Sequence, residues 1–209
     1  MAFLGIRLEH GAGRLLADID VPGRKESASE YHITILCFEE NWPISEVAKS
    51  LEVAFDVFSK TKPFTIKVKN ITSFPKFENN PIPIIAKVES KELHELRDKL
   101  AKKFKKAKID FKKTFKDYKP HITLSYVENK EDEKKIEDFI IDPLEIVVQE
   151  AVLWAGDNND DRLFITFPLK PPEKHALLVK KTEFFDKVAS YKQPYFTKSR
   201  ERRNTSRNH

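Results

Sequence analysis

Apolar and polar side chains alternate along residues 2 to 9 and 14 to 21, which predicts two strands joined by a turn at Gly11-Ala12-Gly13 into an opening hairpin. Residues 22 to 30 carry few apolar anchors and read as a mobile loop, with Arg24 and Lys25 within reach of a phosphate. From Ile44 to about Ser59 the positions Val47, Leu51, Ala54, Phe55 and Phe58 recur at helical spacing, as do Leu93, Leu96, Leu100 and Phe104 between Ser90 and Lys106. The segments Thr65–Lys69 and Ile84–Val88 between them read as strands. Glu131 to Asp142 predicts a short helix, and Leu144–Ala155 with Arg162–Leu169 a hairpin across the polar turn 156–161. Motif strand, helix and strand recur in both halves, a weak sign of duplication.

Two β-branched runs carry the candidate chemistry: Tyr31-His32-Ile33-Thr34-Ile35-Leu36 and Pro120-His121-Ile122-Thr123-Leu124-Ser125. On a strand, residues two apart share a face, so His32 joins Thr34 and His121 joins Thr123, with Ser125 a further candidate on that side. By the same parity Cys37 falls with Ile33 and Ile35, as a small core residue. Facing one cleft, the pair would bring two imidazoles and two hydroxyls to one substrate. A neutral imidazole can take a proton from an attacking oxygen while a protonated one gives a proton to the leaving oxygen. Threonine hydroxyls can donate to the non-bridging phosphate oxygens. Each histidine alone is compatible with a core imidazole satisfied by a neighbour; the matched threonines favour a catalytic pair. A zinc site would want a third His, Cys or carboxylate at ligand spacing.

The doubled His-x-Thr, the second preceded by Lys119-Pro120, resembles the two-histidine (2H) phosphoesterase superfamily, which includes 2′-5′ RNA ligase-like proteins, cyclic phosphodiesterases, 2′-5′ oligoadenylate phosphodiesterases and phage anti-CBASS nucleases. The resemblance spans roughly residues 1 to 170 in order of elements but rests on the two motifs for residue identity. It implies an α+β bilobal fold, two pseudo-symmetric β-sheet lobes with outer helices around a central cleft. It also implies a phosphodiesterase that needs neither metal nor cofactor. Its substrate would be a nucleotide phosphodiester: a 2′,3′-cyclic phosphate, a 2′-5′ linkage or a cyclic oligonucleotide signal, the last fitting a phage counter-defence role in a host cytoplasm. The rival from another class is a non-catalytic RNA-binding module holding a phosphate between the same strands.

Beyond the motifs, Glu150 and Trp154 share a strand face, and the indole is a candidate stacking platform for a base as well as a candidate core residue. Tyr31, Tyr118, Arg162, Lys119 and Arg24 complete the candidate binding set. The remaining histidines, His94 among them, read as structural or solvated.

Composition bounds the rest. The 209 residues are 40% hydrophobic with 16 Phe, enough for a sizeable core, and a single cysteine allows no internal disulfide, which fits a reducing cytoplasm. No run approaches a membrane span. Residues 192 to 209 hold six Lys or Arg against one Glu and so account for the whole net charge of +5. From Pro171 the composition changes, predicting an extension over 171–209: an amphipathic helix about 176–190, then a basic, disordered tail able to contact nucleic acid.

Overall fold

The computed structural model describes residues 2–8, 10–38, 44–112, 117–136, 140–155 and 163–170. The predicted C-terminal helix and basic tail, the turn 156–161 and Arg162 lie outside them. The order is β1 (Ala2–Arg7), α1 (His10–Ala17), β2 (Arg24–Lys25), a 3₁₀ turn, β3 (His32–Phe38), α2 (Ile44–Phe58), β4 (Phe64–Ser73), β5 (Ile82–Glu89), α3 (Lys91–Lys106), β6 (His121–Val127), α4 (Lys130–Lys134), β7 (Ile140–Val148), β8 (Glu150–Ala155) and β9 (Leu163–Pro168). Two antiparallel sheets result, β3-β1-β8-β9 and β2-β6-β5-β4-β7. The α+β architecture and the placement of one motif strand in each sheet agree with the expected two-lobed plan.

The helices form where the apolar period is 3.6. Ser90 caps α3 by accepting from the Leu93 amide (3.2 Å), Lys103, Lys105 and Lys106 close its last turn, and Leu93, Leu96, Leu100 and Phe104 are buried along one stripe. Each such side chain contributes roughly 1.5–3 kcal/mol by leaving water. Both long helices lie on the four-stranded sheet: Phe104 meets Phe38 of β3 and Phe58 of α2 meets Phe167 of β9.

Several expectations are overturned. Residues 10–17 are a helix rather than the second arm of a hairpin, because β3 and β8 occupy both edges of β1 and leave no ladder for another strand. In that helix Gly13 and Leu16 turn inward, three residues apart. The segment predicted as a mobile loop is tied down instead: Arg24 and Lys25 pair with Tyr126 and Ser125, and the Glu26 amide donates to the Leu124 carbonyl (2.8 Å). The acidic helix ends at Lys134 and a strand begins at Ile140. The single strand expected over 144–155 is two strands in different sheets, crossing at Gln149, whose carbonyl accepts from the Leu169 amide (2.8 Å).

Parity also fails, at the same place in both motif strands. Leu4 pairs with Leu36 but Gly5 with Thr34, leaving Ile35 as an extra residue; Ile84 pairs with Ser125 but Ile85 with Thr123, leaving Leu124 extra. Each is a β-bulge immediately after the threonine. Beyond it the faces exchange, so Ser125 is fully buried with its hydroxyl donated to the Pro22 carbonyl (2.6 Å), while Cys37 turns out to the histidine side. Glycines press against both strands: a Cβ on Gly5 would stand 2.5 Å from the Ile33 carbonyl oxygen, and one on Gly23, already at φ 89°, 2.3 Å from that of Tyr126.

Candidate active site

His32 and His121 open their strands and are held alike. His32 Nδ1 lies 2.7 Å from the Glu30 carbonyl oxygen and His121 Nδ1 2.7 Å from that of Lys119. A carbonyl only accepts, so Nδ1 carries the proton in both neutral rings and Nε2 is the nitrogen that gains or loses one. Both imidazoles and both threonines, Thr34 and Thr123, are half-buried, while Ile33 and Ile122 behind them are fully buried.

The two halves meet through Tyr118, whose hydroxyl donates to the Thr34 carbonyl (3.0 Å). Arg97 lies over its ring at 4.9 Å and His94 meets it edge-on at 5.2 Å. Burial pushes the Tyr118 phenol far above its ordinary range, with Arg97 opposing, so it stays a donor. His121 senses the other imidazole: burial lowers its pKa below 6.5, the Lys119 carbonyl opposes, and charge on His32 lowers it further.

His32 is walled by aromatics. Its ring stacks on Phe3 (4.4 Å between centroids) and lies 5.3 Å from Trp154, which in turn meets Phe164 at 4.7 Å. Trp154 is 5% exposed, so of its two expected roles it takes the core one, backing the imidazole with no open face for a base. Phe164 on the adjacent strand is the exposed ring, with the Arg7 guanidinium 5.0 Å above it. Arg7 pairs across the ladder with His32 and shares its face. Sequence reasoning missed both, because a lone arginine ending an apolar strand reads as solvent-facing until its ladder partner is known. Glu150 is half-buried and lines a groove with Arg7.

On the other sheet Phe74 meets His121 edge-on at 4.6 Å, and Lys87 is its ladder partner. Arg24 lies over the Tyr126 ring at 5.3 Å, on the strand of His121 and Thr123. Tyr126, also missed, reaches the histidine side through the bulge; burial and Glu26 push its phenol up, Arg24 and a hydrogen bond with Thr123 opposing. Lys25 bonds the Ile19 carbonyl (3.1 Å) and Asp20 instead. Tyr31 is 1% exposed, on the opposite side of the strand from His32, so it leaves the binding set. Lys119 is exposed beside its strand. Among the described residues no three His, Cys, Asp or Glu side chains gather where they could hold a metal, and no helix is long and apolar enough to cross a membrane.

Residues 21–160 match the family model of the 2′-5′ RNA ligase superfamily. Solved structures share the fold. A Thermus thermophilus protein is 19% identical, with a TM-score of 0.61 over 81% of this chain and 97% of its own. Escherichia coli LigT, solved with 3′-AMP, is 16% identical, with a TM-score of 0.58 over 81% and 98%. Kluyveromyces marxianus Usb1 is 10% identical, at 0.50 over 80% and 97%. No curated protein matches.

Proposed function

The chain belongs to the 2′-5′ RNA ligase superfamily of two-histidine phosphoesterases, and on that premise we propose that it is a phosphodiesterase cleaving a nucleotide phosphodiester with His32 and His121 as its acid and base. The observation that carries the reading is the matched pair of Nδ1–carbonyl clamps, which put the Nδ1 proton of each neutral ring on a backbone carbonyl and so make Nε2 the nitrogen that exchanges a proton, with the charge of His32 felt at His121. LigT has been solved with 3′-AMP, with phosphate and with ATP, ligands that share a phosphate group.

His121, whose pKa is lowered, stays neutral near pH 7 and is suited to be the base. It takes a proton from the attacking water as the oxygen–phosphorus bond forms. His32, protonated, gives one to the departing ester oxygen as its bond to phosphorus breaks. Thr34 and Thr123 donate to the non-bridging oxygens, and Arg7 and Arg24 supply positive charge on the two sheets. Phe164 under Arg7, rather than Trp154, is the surface for a base. The finer substrate choices are a 2′,3′-cyclic phosphate, a 2′-5′ linkage or a cyclic oligonucleotide of the kind a phage counter-defence enzyme removes. The basic tail is proposed as a nucleic-acid contact.

Turnover of a panel of these substrates in EDTA tests the reading. Cleavage that persists with chelator, with a bell-shaped pH profile, upholds it. Nucleotide binding with no turnover on any of them would make the chain a binding module.

A further inference from the structure

β3 is the outer strand of the four-stranded sheet, so the carbonyls on its open side have no ladder partner. Two of them are taken by residues that lie between α3 and β6. The Cys37 carbonyl accepts from the Lys112 amide (2.8 Å), and the Thr34 carbonyl accepts from the Tyr118 hydroxyl (3.0 Å). On a regular strand outward carbonyls fall two residues apart; these are three apart because the bulge at Ile35 inserts a residue between them.

The Thr34 carbonyl is the one that bears on the chemistry, since its residue shares a strand face with His32. Tyr118 stands three residues before His121, in a segment tied at every position. Pro120 favours an extended backbone at Lys119, whose carbonyl meets His121 Nδ1 at 2.7 Å. The Pro120 carbonyl accepts in turn from the Val88 amide of β5 (3.1 Å). Four consecutive residues, Tyr118 to His121, therefore join one imidazole, its own sheet and the opposite motif strand. The Tyr118 ring is itself braced from α3, with Arg97 over its face at 4.9 Å and His94 against its edge at 5.2 Å. Burial keeps the phenol protonated throughout the range in which imidazoles titrate. A phenol has one proton to donate, and here it goes to Thr34.

We infer that Tyr118 is a positioning residue: its bond to the Thr34 carbonyl sets the separation of the two motif strands and so aligns His32 and Thr34 with His121 about one phosphorus. This rests on the phosphodiesterase reading for what is aligned, while the alignment itself can be measured without turnover. A single hydrogen bond acts strongly in such a place, because a misplacement of about 1 Å can cost about 10²-fold in rate.

Tyr118→Phe tests the inference in the full chain, since it removes the hydroxyl and keeps a ring between Arg97 and His94. With substrate, kcat should fall about 10- to 100-fold while KM changes by less than about twofold and urea unfolding stays cooperative. An unchanged kcat with a lowered urea midpoint would make the bond structural only, and a raised KM with kcat retained would make Tyr118 a substrate contact; either overturns the inference and leaves the phosphodiesterase standing. The second measurement is histidine-ring NMR without substrate. His32→Asn should raise the His121 pKa when Tyr118 is present and raise it less in the Tyr118→Phe background, where the strands are no longer held at one separation. Equal shifts in the two backgrounds overturn the positioning role. If no substrate is turned over, the phosphodiesterase falls and the NMR comparison alone decides Tyr118.

Discussion

His32 stacks on Phe3 with Trp154 close by, on the edge strand of the four-stranded sheet, whereas His121 meets Phe74 edge-on, one strand in from the edge of the five-stranded sheet and opposite Lys87. Their backbones differ far less. Each imidazole is bonded through Nδ1 to the carbonyl two residues back, and each strand bulges directly after its threonine. The backbone fixes which nitrogen of the neutral ring carries the proton, equally in both halves. The walls decide how readily that nitrogen holds a proton and what lies beside it, and there the halves diverge.

The strongest way to break the comparison is to remove one imidazole at a time. His32→Ala and His121→Ala should each lower kcat by about 10²–10⁴ with the fold retained by circular dichroism. The double variant should fall little further, since the two act as a unit. One variant near wild-type activity would end the equivalence. Next come the hydroxyls: Thr34→Ala and Thr123→Ala should each reduce kcat by about 10²-fold, the loss of one charge-stabilising donor, and Ser should restore most of it in both.

The bulges are tested through their glycines. Gly5→Ala and Gly23→Ala each force a Cβ into a carbonyl oxygen, and should destabilise the chain by about 1–3 kcal/mol, read from urea unfolding. The smallest effect concerns proton affinity. With His121 lowered, the acid limb of kcat/KM should lie below pH 6.5. Replacing His32 with Asn removes one of the causes, so His121 should titrate closer to 6.5 by NMR. Between its folded value and 6.5 the folded chain binds fewer protons than the unfolded one, so stability falls as pH drops through that window and His121→Asn should flatten the fall.

Both long helices were legible because each keeps one period over several turns, and the motif strands, β8 and β9 because each is a short β-branched or apolar run. What failed depended on partners far along the chain. Residues 14–21 alternate well enough for a strand, but nothing local says that β1 is already paired on both edges. Ser125 and Cys37 were assigned by counting in twos, and a single extra residue in each strand reverses the count; the signal lies in Gly5 and Gly23, whose closeness to the motif strands no local pattern reveals. The His-x-Thr pairs were readable, since two residues apart suffices. Arg7, Phe164 and Tyr126 were not, because the first two reach the histidine side through cross-strand register and Tyr126 through the bulge in its own strand.

The central claim is that both imidazoles address one phosphate. Histidine-labelled NMR during titration with 3′-AMP tests it most directly. The account predicts that the His32 and His121 ring signals shift together along one saturation curve, with both rings titrating at higher pH once the phosphate is bound. A shift confined to one ring, or two curves with separate midpoints, would contradict it.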